Sequence, residues 1–280
     1  MAIAGIAVTT VPPQADKSMI RRVLLTSMIG TAIEWYDFFL YATASALVFG
    51  KLFFPTFDPT VGTIAAFGTF AIGYVARPFG AIFFGHFGDK IGRKVSLVAT
   101  LLIMGIATFI IGLLPTYESI GIWAPVLLVL MRFFQGIGVG GEWGGAVLLV
   151  VEYAPEDKRG FFGAWPQLGV PIGLLLSTGA FALVANLPPE QFLSWGWRLP
   201  FLASFVLILI GLWIRLTVLE SPVFQKAKEV GERRVVKAPL VELLKKYPKN
   251  ILLALGTRFA TDITFNVINV FVLAYGTTQL

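Results

Sequence analysis

Gly85 to Lys94, GHFGDKIGRK, is the stretch whose reading decides the fold. Asp89, Lys90, Arg93 and Lys94 put four charges into it, so it cannot rest in hydrocarbon and reads as an aqueous turn. Apolar runs of about 24 residues before it and about 20 after it are each long enough, as helices, to cross roughly 30 Å of lipid.

The rest of the chain agrees. Of its 280 residues 56% are hydrophobic and 14% charged, a balance suited to lipid rather than water. There is no cysteine and one histidine, His86, so disulfides are excluded and neither a metal centre nor a thiol hydrolase is supported. His86 falls in the turn and reads as a solvated loop residue. Residues 1–18 carry too short an apolar run, and no early basic residue, for a secretory signal; they read as a disordered cytoplasmic tail.

Apolar runs at 23–49, 61–84, 95–114, 122–151, 161–185, 197–217 and 251–275 predict seven crossings, an all-α integral membrane fold. Seventeen Lys and Arg, Arg215 among them, fall in the gaps on one side, and only Lys51 and Arg198 on the other. Basic loops stay inside, so the N-terminus and the GHFGDKIGRK turn are expected in the cytoplasm and the C-terminus outside, in a plasma (inner) membrane. The net charge of +6 then reflects topology, with anionic lipid as its partner and no nucleic acid.

Five motifs in order carry a family resemblance: EWYDF (34–38), RPFGAIFFGHFGDKIGRK (77–94), RFFQGIGVGGEWGGA (132–146), GWRLPF (196–201) and ESPVF (220–224). Together they resemble the major facilitator superfamily, in its metabolite:proton symporter branch. The resemblance implies a six-helix N-terminal bundle over 19–218, a basic interdomain loop over 219–250, and over 251–280 the first helix of an incomplete second bundle. It also implies uptake of a small organic metabolite, anionic or zwitterionic, by alternating access, with H+ as coupling ion and no cofactor. Because a midplane site needs both halves, the 280 residues alone are not expected to transport. The alternative class is a non-transporting seven-helix protein, receptor-like or a structural fragment; no lysine in the last helix could bind retinal, and a receptor has no need of the GHFGDKIGRK turn.

Ionisable groups at membrane depth are costly and are retained for a reason. Arg77 and Arg132 are expected near the midplane. Glu34 and Asp37, three apart on one helix face, are the expected anionic partners, with Tyr41 extending the stripe. An arginine fork matches a carboxylate, and a carboxyl group withdrawn from water can load and release a proton. Arg77 and Arg132 are therefore candidates for substrate binding, and Glu34 and Asp37 for proton coupling; a permanent charge cluster holding the helices together is the alternative. Glu142 either joins the proton-coupling set or pairs with a neighbouring cation.

Arg258, Asp262, Asn266 and Asn269 share one face of the seventh helix. The first two read as a neutralising pair; Asn266 and Asn269 either bind substrate or bridge helices. Gly136, Gly138 and Gly141 match a dinucleotide-binding spacing but lack the strand that motif requires. Gly136, Gly140 and Gly144, with Gly141 and Gly145, instead predict close helix packing. Pro166 and Pro171 predict a bend with Gln167 beside a polar path. Trp195 and Trp197 are expected in the interfacial aromatic belt. Gly85, Gly88, Asp89, Gly92, Arg93 and Lys94, facing Glu152 and Arg159, resemble the superfamily's cytoplasmic gate, in which Gly85 and Gly88 are expected to allow tight approach at the end of the second helix. Residues 239–247, PLVELLKKY, suggest a short helix on the inner leaflet.

Overall fold

The computed structural model of the protein describes residues 17–217 and 245–266. Helix α1 spans Lys17–Ala44 and continues through a π-helical turn, Ser45–Phe49, into Gly50–Phe53. Helix α2, Pro59–Ile91, starts where Asp58 caps the Thr60 amide at 2.9 Å and Pro59, which has no amide hydrogen to satisfy, takes the first position. Helix α3 covers Arg93–Leu113 and α4 Trp123–Tyr153. Helix α5, Gly169–Ala185, follows a 3-10 segment, Trp165–Leu168, that interrupts the helical run at Pro166. Helix α6, Arg198–Thr217, follows a second π-helical turn, Phe192–Gly196.

These six stretches are long and apolar enough to cross a membrane. Their outward faces carry large apolar side chains in the open, such as Leu183 at 78% and Trp213 at 70% exposure, an arrangement suited to lipid. Helix α7, Pro248–Asn266, belongs to a second unit, residues 234–280. The rest of the expected seventh crossing, the inner-leaflet segment and the interdomain loop lie wholly or largely outside the described residues, as does the N-terminal tail.

In the six-helix unit, α1 packs on α5, α6 and α4, while α4 lies against α2 and α3, and α3 against α6. Glycines set the closest approaches. A Cβ at Gly136 or Gly140 of α4 would strike the Gly73 or Arg77 carbonyl of α2, and one at Gly80 the Ile137 carbonyl. Gly141 and Gly145 accept Phe84 and Leu97, but Gly144, expected in the same seam, faces open space.

Two sequence expectations change here. The ten-residue turn is largely helical: α2 runs to Ile91, α3 begins at Arg93, and Gly92 alone reverses the chain, with φ at 111° in the region that favours glycine. Nothing in the stretch lacks a backbone donor, so the charged residues continue the helix instead of ending it. Trp197 is fully buried against Phe49, Phe53 and Phe201 in the main apolar core, not in an interfacial belt; Trp195, two residues earlier, is exposed.

Candidate functional site

Glu34 and Asp37, one helical turn apart on α1, face a cleft between α1, α2, α3 and α4 that is also lined by Arg77, Arg132 and Gln135 and walled by Phe38 and Met104. Four of the expected intramembrane charges are thus brought together. Glu34, Asp37 and Arg132 are buried, and Arg77 is half-buried. The cleft volume of about 10 Å³ leaves room for about one water molecule, so a metabolite requires a more open conformation.

The contacts differ from those expected. Among the described residues neither guanidinium forms an ion pair with Glu34 or Asp37. Arg132 lies 4.3 Å from the ring centres of both Tyr41 and Phe70, and Arg77 lies 4.5 Å from Tyr74 and 5.5 Å from Phe38. Ring faces attract a desolvated guanidinium without neutralising it, which leaves the charge available. Gly73 makes the room: a Cβ there would approach Arg132 Nε to 2.8 Å.

A hydrogen-bond chain then connects base to acid. Arg132 Nη1 donates to Gln135 Oε1 at 3.0 Å, Gln135 Nε2 donates to Thr108 Oγ1 at 2.7 Å, and Thr108 donates to Asp37 Oδ2 at 2.8 Å. Among the described residues, Arg132 Nε, Asp37 Oδ1 and Glu34 Oε2 are buried with no hydrogen-bond partner. Buried polar atoms are normally satisfied, so three orphans around one cleft mark it as a place for a polar guest.

Tyr41 is buried as well, but its hydroxyl is held by Thr69 at 2.5 Å, and it meets the cleft only as the ring under Arg132. Gln167 is exposed on its 3-10 segment and does not join the cluster. Glu142 has found a cation, Arg215 of α6, which also donates to the Leu97 carbonyl of α3. Arg215, which the charge count along the chain places in a loop, is 5% exposed, inside the bundle. Asn269 and the side chains of Arg258, Asp262 and Asn266 lie outside the described residues.

The gate is placed only in part. Gly88 packs against Ser96, whose Oγ would be 3.2 Å from a Cβ there, while Gly85 faces open space, contrary to the tight approach expected of it. Lys94 Nζ donates to the Leu216 carbonyl at 2.7 Å. Arg159 reaches Glu156 at 3.5 Å on the surface, and Glu152 is half-buried near the end of α4. The side chains of Asp89 and Arg93 are outside the described residues.

Gln135 and Thr108 were missed by sequence reasoning. Gln135 had a signal, since it follows Arg132 by three and so shares its helix face. Thr108 had none, because nothing local distinguishes one threonine of α3 from another.

The family profile described as "Sugar (and other) transporter" matches residues 23–244. The inner membrane metabolite transport protein YhjE of Escherichia coli (strain K12) is 51% identical over 257 residues, 91% of this chain and 58% of that protein. The shikimate transporter of the same organism is 45% identical over 276 residues, 98% of this chain and 63% of that protein. The chain therefore spans about three-fifths of the length of these relatives. Among solved structures, the proton:xylose symporter of the major facilitator superfamily, an E. coli protein, superposes with a TM-score of 0.65 at 18% identity, covering 75% of this chain and 47% of that one.

Proposed function

This chain belongs to the sugar (and other) transporter family of the major facilitator superfamily, and on that premise we propose that it forms the N-terminal bundle of a secondary transporter importing a small metabolite that bears a carboxylate, together with protons. In this reading a second helical bundle completes the midplane site. The bundle lies in the inner membrane with its N-terminus in the cytoplasm.

One observation carries the proposal. Two guanidiniums held by aromatic faces, and two carboxyl groups with unpartnered oxygens, share one buried cleft. Arg77, half-buried and not tied to any acid of the cluster, receives the substrate carboxylate. Glu34 and Asp37 carry the proton, and Arg132 senses the charge of Asp37 through Gln135 and Thr108. Proton and substrate then meet in one electrostatic unit, the minimum that coupling requires.

The test is uptake by the complete transporter in liposomes under an imposed proton gradient. Labelled shikimate and other small carboxylates and zwitterions are compared with D-xylose, a neutral sugar. A carboxylate should accumulate only while the gradient lasts; gradient-independent uptake, or a preference for the sugar, would overturn the reading. Arg77→Lys keeps the charge but loses the planar fork, and should abolish carboxylate uptake with membrane insertion intact. Unchanged uptake would remove Arg77 from the site.

A further inference from the structure

Beyond the cleft lies a second buried ionic group that the transport reading does not use. Glu142 and Arg215 have side chains only 1% and 5% exposed. Arg215 binds Glu142 Oε1 and the Leu97 carbonyl, but Glu142 Oε2 is buried with no hydrogen-bond partner among the described residues. A pair that served only to bolt α4 to α6 would be expected to satisfy both oxygens.

The location is specific. The pair packs against α1 at Gly30, where a Cβ would come to 2.7 Å of Arg215 Nη2 and 3.1 Å of Glu142 Oε1. Gly30 precedes Glu34 by four residues and shares its helix face, and Glu142 follows Val139, a wall of the cleft, by three. The pair therefore lies one turn from Glu34, about 6 Å along α1 toward the expected cytoplasmic end. Among the described residues, the charged groups that reach Glu142 are Arg215 from α6 and Glu34 and Asp37 from α1; Arg77 of α2 reaches Glu34, and α3 presents the Leu97 carbonyl.

We infer that Glu142, held by Arg215, is a second proton-binding site of the bundle, which receives the proton leaving Glu34. The inference rests on the reading of Glu34 as a proton carrier. The O–H bond of the Glu34 carboxyl breaks, the proton crosses by way of a water molecule, and an O–H bond forms at Glu142 Oε2. Glu34 is left as a carboxylate within reach of Arg77, and Glu142 becomes neutral. Arg215 keeps its bond to Leu97 and loses an ionic partner, so the total charge of the four groups is unchanged.

This step reaches the signature stretch mechanically. Arg215 donates to Leu97 in the second turn of α3, and Lys94 in its first turn donates back to Leu216 beside Arg215. These reciprocal bonds tie the start of α3 to the end of α6. Neutralising Glu142 frees one hand of Arg215 at that junction, which links proton arrival to the part of the bundle where the gate motif turns.

pH-difference infrared spectroscopy of the complete transporter in liposomes tests this without knowledge of the substrate. Glu142→Gln should delete one titrating carboxyl band and leave the Glu34 band, while Glu34→Gln should do the converse. Arg215→Gln should move the midpoint of the Glu142 band by at least about one pH unit, a ten-fold change in proton affinity. Thermal melting reports folding; if Glu142→Gln does not fold, the double variant Glu142→Gln with Arg215→Gln removes both buried charges and should lack the same band. A Glu142→Gln or double-variant protein that folds and shows an unchanged pH-difference spectrum overturns the proposal. Loss of the band in Glu142→Gln with no change in Glu34→Gln sinks Glu34 as the donor but keeps the site, and intact bands in a protein with no gradient-driven uptake sink the transport reading alone.

Discussion

Arg132 is a buried cation whose neighbours include three aromatic rings, Tyr41, Phe70 and, farther off, Phe38, and an amide. The rings lower the cost of desolvation without taking the charge, and the amide passes its influence through Thr108 to Asp37. Thr108→Val would leave Gln135 Nε2 without its acceptor and Asp37 Oδ2 without its donor in a buried site. The expected loss is about 1–3 kcal/mol of stability, read from denaturant unfolding in detergent, with weakened gradient-driven uptake. A variant as stable as the parent would show that the chain of bonds is dispensable. At this scale the sequence displayed the charges but not their partners. Helical spacing put Glu34 beside Asp37, yet the pairing of Glu142 with Arg215 joins residues 73 apart, and no local pattern encodes that.

At the scale of elements, the seam between α2 and α4 depends on residues that have no side chain. Gly140→Ala would place a methyl group against the Arg77 carbonyl and force the two helices apart, close to the residue proposed to bind substrate. Overpacking of this kind costs about 1–3 kcal/mol. Gly144→Ala, one turn on, meets open space and is expected to be neutral or slightly stabilising. Thermal midpoints of the two variants should differ in that order; equal midpoints would mean the seam yields easily. The glycine periodicity was legible as a packing signal, but which of its members touch was not, because the contact depends on the angle at which α2 crosses α4.

At the scale of the molecule, exposed apolar faces and, among the described residues, six helical stretches long enough to cross a membrane make a membrane bundle, and the side on which each loop lies is open to direct test. The chain has no cysteine, so single cysteines report cleanly. Lys51→Cys should react with an impermeant maleimide added outside cells, and Lys158→Cys only after the membrane is opened, since both positions are exposed and fall on opposite sides of the expected topology. The reverse pattern would invert the orientation and, with it, the direction assigned to the proton path.

The sequence by itself determined that this is a helical membrane protein, roughly where six of its spans lie, that Glu34, Asp37, Arg77 and Arg132 sit inside the bundle, and which superfamily it resembles. Those properties are local: hydropathy, charge placement and motif spacing are sums and intervals along one strand of chain. Only the tertiary structure decided that the GHFGDKIGRK stretch is two helices meeting at Gly92, that Arg132 rests on rings while Glu142 holds Arg215, and that Thr108 and Gln135 complete the cleft. Those facts depend on which helix faces meet and how closely, and that is set by side-chain volumes from distant parts of the chain packing against one another.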